Sequence, residues 1–69
     1  MVSEKFLDKV RNKFVHVDFS NNKGDLDWIE GILDFEYDDK DEKFFIEVTS
    51  DTDFNRLSEE QIIKIYLKK

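Results

Sequence analysis

The sequence predicts a single α+β domain over residues 1–69, with an N-terminal helix, a three-stranded antiparallel sheet and a C-terminal helix. Three observations point there. Apolar residues recur every four positions at the start, the period drops to two between residues 14 and 48, and a capping-box spacing followed by lysines closes the chain.

The first helix is expected over roughly residues 3–13. Ser3 is its N-cap, Val2, Phe6, Val10 and Phe14 form its apolar stripe with Leu7 beside them, and Lys9, Arg11 and Lys13 sit towards the negative end of its dipole. In "KFVHVDFS" Val15, Val17 and Phe19 alternate with His16, Asp18 and Ser20, the pattern of a half-buried strand. "NNKGD" (21–25) is turn chemistry. The second strand, "LDWIEGILDFEYD" (26–38), carries an apolar row Ile29, Gly31, Leu33, Phe35, Tyr37 and an opposite row Glu30, Asp34, Glu36, Asp38. Gly31 inside it predicts a bulge or a close approach by a helix. "DDKDE" turns the chain, and "KFFIEVT" returns with Phe44, Ile46 and Val48 inward.

The last segment admits two readings. Ser58-x-x-Gln61 in "LSEEQ" spells a capping box, which favours a helix. "IIKIYL" is rich in β-branched and aromatic residues and alternates as a strand would, which gives a fourth strand closing a small barrel. The helix is preferred on the strength of the cap.

Cysteine and proline are absent, so neither a disulfide nor thiol chemistry is available. With seven Phe, one Trp and two Tyr in 69 residues, the core is expected to be aromatic and β-branched. The charged N-terminus lacks the apolar run of a signal peptide, and no stretch approaches a membrane span, so a cytoplasmic setting is expected.

Net charge is −6, unevenly spread. Residues 1–23 carry +2 and residues 61–69 carry +3, while residues 24–60 hold fourteen acidic and three basic groups, a net −11. Such a field repels nucleic acid and membranes and attracts basic surfaces. Catalytic equipment is not visible. His16 is the sole histidine and reads as an ordinary sheet-surface residue, and no nucleophile elbow or phosphate-cradling glycine motif occurs. "DTDFN" opens like a calcium loop at Asp51, Asp53 and Asn55, but Arg56 stands where the sharp turn needs Gly, and Ile62 where a bidentate Glu belongs. Neither an enzyme, nor a metal, nor a cofactor is expected.

The segment "DFEYDDKDEKFFIEV" (34–48) packs seven carboxylates and four rings into one hairpin. Same-face strand residues stand ~6.8 Å apart, near the spacing of every second phosphate of a nucleic-acid strand at ~3.4 Å each. Glu30, Asp34, Glu36, Asp38, Asp39, Asp41 and Glu42 would therefore meet a protein built to receive phosphates, with Trp28 and Phe45 as apolar anchors. Phe14 and Ile32 share that outer face.

Tiny, acidic, cysteine-free chains of this kind resemble phage-encoded DNA-mimic inhibitors such as anti-CRISPR proteins and uracil-DNA glycosylase inhibitors, and the order of a short helix ("SEKFLDKVRNK"), three strands with an acidic hairpin and "LSEEQIIKIYL" is similar in layout to a small anti-CRISPR of type II-A systems. The resemblance implies an inhibitor that occupies the basic DNA- or RNA-binding groove of a nucleic-acid enzyme, without turnover. The alternative is a small-barrel adaptor or subunit that uses the aromatic patch for specificity and the acids for solubility. An open sheet edge leaves a homodimer available to either.

Overall fold

The computed structural model describes residues 3–68. Its elements are α1 (Glu4–Val10), β1 (Phe14–Ser20), β2 (Leu26–Asp38), β3 (Lys43–Thr49), β4 (Phe54–Ser58), the 3-10 turn η1 (Glu59–Gln61) and β5 (Ile62–Leu67). One antiparallel sheet holds the five strands in the order β4-β3-β2-β1-β5. The predicted three-stranded sheet with a C-terminal helix is therefore corrected, and the four-strand alternative is one strand short.

Helix α1 starts as the sequence predicts, with the Ser3 hydroxyl accepting the Phe6 N–H at 3.2 Å. It stops three residues early. Arg11 has left the helical region (φ −57°, ψ 133°) and Asn12 is left-handed (φ 63°), a conformation Asn tolerates better than most residues. Asn12 N–H then donates to the Leu33 carbonyl and Leu33 N–H to the Lys13 carbonyl, so the chain is already docked on β2. Of the predicted stripe, Leu7 and Val10 are buried, Phe6 is half-buried and Phe14 opens β1, while Val2 lies outside the described residues.

Strand β2 belongs to both halves of the sheet. Leu26–Ile32 pair with β1, and Ile32–Asp38 pair with β3. Gly31 sits beside this handover, where a Cβ would strike the backbone carbonyl of Thr49 at the end of β3. The predicted close approach is real, but it is made by a strand end, not by a helix.

Two elements depart from expectation at the C-terminal side. Residues 51–53 turn the chain, with Ser50 Oγ accepting the N–H groups of Thr52 and Asp53, and β4 begins at Phe54. Its sequence hides the strand, because the inward positions are Asn55 and the buried Leu57, with Phe54 and Arg56 outward. The Ser58/Gln61 pairing exists, with Gln61 Oε1 accepting the Ser58 N–H at 3.1 Å, yet it closes only η1. The β-branched run that follows loses less side-chain freedom as a strand, and β1 offers it an open edge.

That single turn dictates the shape. In a flat sheet the outermost of five strands lie ~19 Å apart, four spacings of ~4.8 Å. Four residue steps from Ser58 to Ile62 reach at most ~14 Å even fully extended. The sheet must curl. Gln61 fastens the closure by donating its Nε2 to the Ser20 carbonyl at 3.0 Å.

The concave side holds Leu7, Val10, Val15, Val17, Phe19, Ile29, Leu33, Phe35, Ile46, Val48 and Leu57. Of the aromatic and β-branched core expected from composition, the β-branched part is present in Val10, Val15, Val17, Ile29, Ile46 and Val48, and the aromatic part is small. Only Phe19 and Phe35 of the ten rings are buried. Tyr37, assigned to the inward row, is half exposed and meets Phe44 edge to face.

Gly31→Ala is expected to cost about 1–3 kcal/mol, since the new methyl group meets backbone that cannot step aside. Urea denaturation should give a lower midpoint at unchanged slope. Gln61→Ala removes the bond to Ser20 and is expected to cost about 1 kcal/mol by the same measurement.

Candidate protein-interaction surface

Cross-strand pairs share a face, so the register fixes what stands on the convex side. His16 faces Glu30 on β2 and Tyr66 on β5, and Asp18 faces Trp28 and Lys64. His16 Nδ1 lies 2.8 Å from Glu30 Oε2, and its Nε2 lies 2.9 Å from Asp18 Oδ1. A neutral imidazole has one donor and one lone pair, whereas both carboxylates here need a proton to face them. The geometry therefore calls for an imidazolium. Hydrogen bonding to Glu30, then to Asp18, raises the His16 pKa above its ordinary 6.5. The bond from His16, then that from Lys68 at 3.3 Å, lowers Glu30.

Aromatic rings frame this clamp. The Trp28 indole stacks on the imidazole at 5.3 Å and 15°, and the Tyr66 ring meets it edge-on at 5.7 Å. Trp28 is nevertheless 60% exposed, with Leu26 at 82% and Ile63 at 55% beside it. Ile63 protrudes because the β1–β5 register slips between Asp18 and Phe19, which leaves it without a partner across the ladder. Phe14 and Ile32 continue the apolar surface along β1 and β2, bordered by the 49–52 segment. That segment lines a groove with them and leaves both exposed.

The predicted acidic row is on this side but does not stand free. Glu30 is held by His16 and Lys68, Asp34 by Arg11 at 3.2 Å, and Glu36 by Arg56 at 2.7 Å. Asp38 is spent on the hairpin, where its Oδ1 accepts the Lys40 N–H at 2.9 Å. Asp39, Asp41 and Glu42 are exposed at the hairpin tip. Glu59 and Glu60 of η1 come beside them around Lys43, a juxtaposition the sequence reading did not contain. Phe45 is half-buried beneath the Arg56 guanidinium at 4.6 Å. It pairs with Glu36, eight positions along β2 from Trp28, so the two anchors belong to separate patches. Asp51, Asp53 and Asn55 assemble no metal-holding group among the described residues.

Sequence reasoning missed His16, Asp18 and Tyr66 as a unit. The signal was present in the hairpin: with the turn centred on Lys23, residue numbers summing to 46 pair, which puts His16 against Glu30.

Comparison with protein-family models, with curated proteins and with solved structures returned no match. No helix among the described residues is long and apolar enough to cross a membrane.

The clamp carries a pH signature. His16 binds its proton more tightly folded than unfolded, so its contribution is complete below pH 6.5 and is lost as pH rises through the raised value. Glu30 acts oppositely, contributing above 4.5 and losing that contribution as pH falls through its lowered value. The urea midpoint should decline on the alkaline side of 6.5 in the wild type, and His16→Gln, which removes the sole histidine, should abolish that decline.

Proposed function

We propose that this protein is a non-catalytic binding module that docks on a basic protein through the convex face of β1, β2 and β5. One observation carries the reading. Five of the ten aromatic rings, Phe14, Trp28, Phe45, Phe54 and Tyr66, stand on the convex face, and the most exposed apolar group there, Leu26, Trp28 and Ile63, has the Asp18 carboxylate beside it. Exposed aromatic centres with polar rims are the anatomy of protein interfaces. The overall −6 charge selects basic partners and speeds their encounter.

The more specific reading is an inhibitor that occupies the nucleic-acid groove of an enzyme by electrostatic mimicry, as in the anti-CRISPR type. It draws on the acidic end formed by Asp39, Asp41, Glu42, Glu59 and Glu60, where only Lys43 pairs with one of the five, Glu60, among the described residues. The strand row supports it less, because Glu30, Asp34 and Glu36 already have cations of their own. Aromatic-centred docking is therefore favoured, with the acids as rim.

The two separate in affinity capture from a bacterial lysate on immobilised protein, eluted with a salt gradient or with duplex DNA. A basic protein should be retained through moderate salt and lost on Trp28→Ala, a change expected to cost about 2 kcal/mol or roughly thirtyfold in Kd. The triple change Asp39→Asn, Asp41→Asn, Glu42→Gln should alter the salt dependence only slightly. Early elution, displacement by DNA and loss on the triple variant would instead select mimicry. Absence of any basic protein among those retained counts against both.

A further inference from the structure

We infer that the cleft on the concave side, between the start of β2 and β4, binds a primary alkylammonium group. It lies across the sheet from the convex docking face, and the two readings stand independently. The cleft has a volume of about 310 Å³. Its apolar wall is the edge of the core, formed by Phe19, Ile29 and Leu57. Trp28 and Arg56 border it as well, but their side chains are engaged on the convex face. The Trp28 indole stacks on His16, and the Arg56 guanidinium pairs with Glu36 and Glu47 over the Phe45 ring.

Two breaks in the in–out alternation of the strands meet at this cleft. Asp27 stands across from Phe19, and Asn55 stands across from Val48, both on the side where their neighbours Ile29 and Leu57 are apolar. A polar group turned towards a core costs stability unless a partner meets it. Asn55 is half-buried, and its side-chain amide makes no hydrogen bond among the described residues. Asp27 Oδ1 accepts the Trp28 N–H at 2.8 Å, and Asp27 makes no ion pair among the described residues. Other polar groups of the wall are already committed. Gln61 bonds Ser58 through Oε1 and Ser20 through Nε2, and Asn21 Oδ1 accepts the N–H groups of Lys23 and Asp25. Local rules broken without internal compensation mark the places where a fold gives up stability for binding.

The composition of the wall selects the ligand. Asp27 and Asp53 both border the cleft, and its single basic neighbour points away, so anions are disfavoured. Two carboxylates fall short of a metal-holding group among the described residues. An ammonium presents three donors to the acceptors Asp27, Asp53 and Asn55, while its alkyl stem lies along Phe19, Ile29 and Leu57. A guanidinium fits less well, because its fork prefers both oxygens of one carboxylate and Asp27 Oδ1 already holds the Trp28 N–H.

The test titrates the full chain with n-butylammonium chloride and follows the Asn55 side-chain amide, the Asp27 backbone N–H and the His16 ring by NMR. Saturable shifts are expected at Asn55 and Asp27, with the His16 ring, on the convex face, unmoved. n-Butanol, which keeps the stem and lacks the charge, should bind at least tenfold more weakly, and Asp27→Asn should cost about tenfold. Asn55→Val restores the alternation, so it should raise the urea midpoint while weakening amine binding. An acetylated, amidated Gly-Lys-Gly peptide that binds as tightly as the amine makes a lysine side chain the source of the ammonium, and one that binds far more weakly makes it a free amine. The inference is overturned by the lack of a saturable response, by an equal response to n-butanol or to sodium chloride, or by amine binding that survives both Asp27→Asn and Asn55→Val.

Discussion

Three residues of η1 join strands that lie at opposite edges of a five-stranded sheet, and the remaining architecture answers that constraint. The sheet has to curl for so short a link to reach. Curling needs a strand that can serve two half-sheets, and β2 does this with Gly31 where the Thr49 backbone crosses closest. It also divides the side chains unequally. The concave side is narrow and fills mainly with Val, Ile and Leu around Phe19 and Phe35, whereas the broader convex side carries Phe14, Trp28, Phe45, Phe54 and Tyr66. A domain this small encloses little volume, so most of its aromatic surface remains outside.

The same curl rearranges the electrostatics. Along the extended sequence the acids form a ribbon of one sign. In the folded chain Arg11 arrives from the end of α1, Arg56 from β4 and Lys68 from beyond β5, each reaching a different carboxylate of β2. These pairs are solvent-accessible and individually worth little in stability. Their effect is on recognition, because they convert an apparent row of free anions into a neutralised surface. Charge not neutralised in this way survives at the hairpin tip with η1.

Much of the strand pattern was legible because period-two alternation is a strong signal when one face is buried. The bounds of β1, β2 and β3 follow from it almost residue by residue. Strand β4 was illegible for a physical reason: Asn55 points inward and Phe54 outward, so its local pattern contradicts its environment. The end of the chain misled in another way. Ser58 and Gln61 do cap a turn, but a cap specifies a start and not a length, and Ile62–Leu67 prefer the ladder of β1. For the site, Trp28, the acids and the hairpin pairing of His16 with Glu30 could be read from the sequence, but the partners from other elements could not. Arg11, Arg56 and Tyr66 reach the convex face only through the long-range order of strands.

The pairing of β5 with β1 also sets a sequence of events during synthesis. β1 can pair with β2 early, but its other edge stays bare until Ile62 and its successors have been made, about forty residues later. At ~5–20 residues per second the ribosome needs roughly 2–8 s for that interval. Throughout it the nascent chain carries a strand with one bare edge, whose apolar side has no complete core to join. A translating cell must therefore shield β1, or tolerate its meeting another copy, until the final strand seals it.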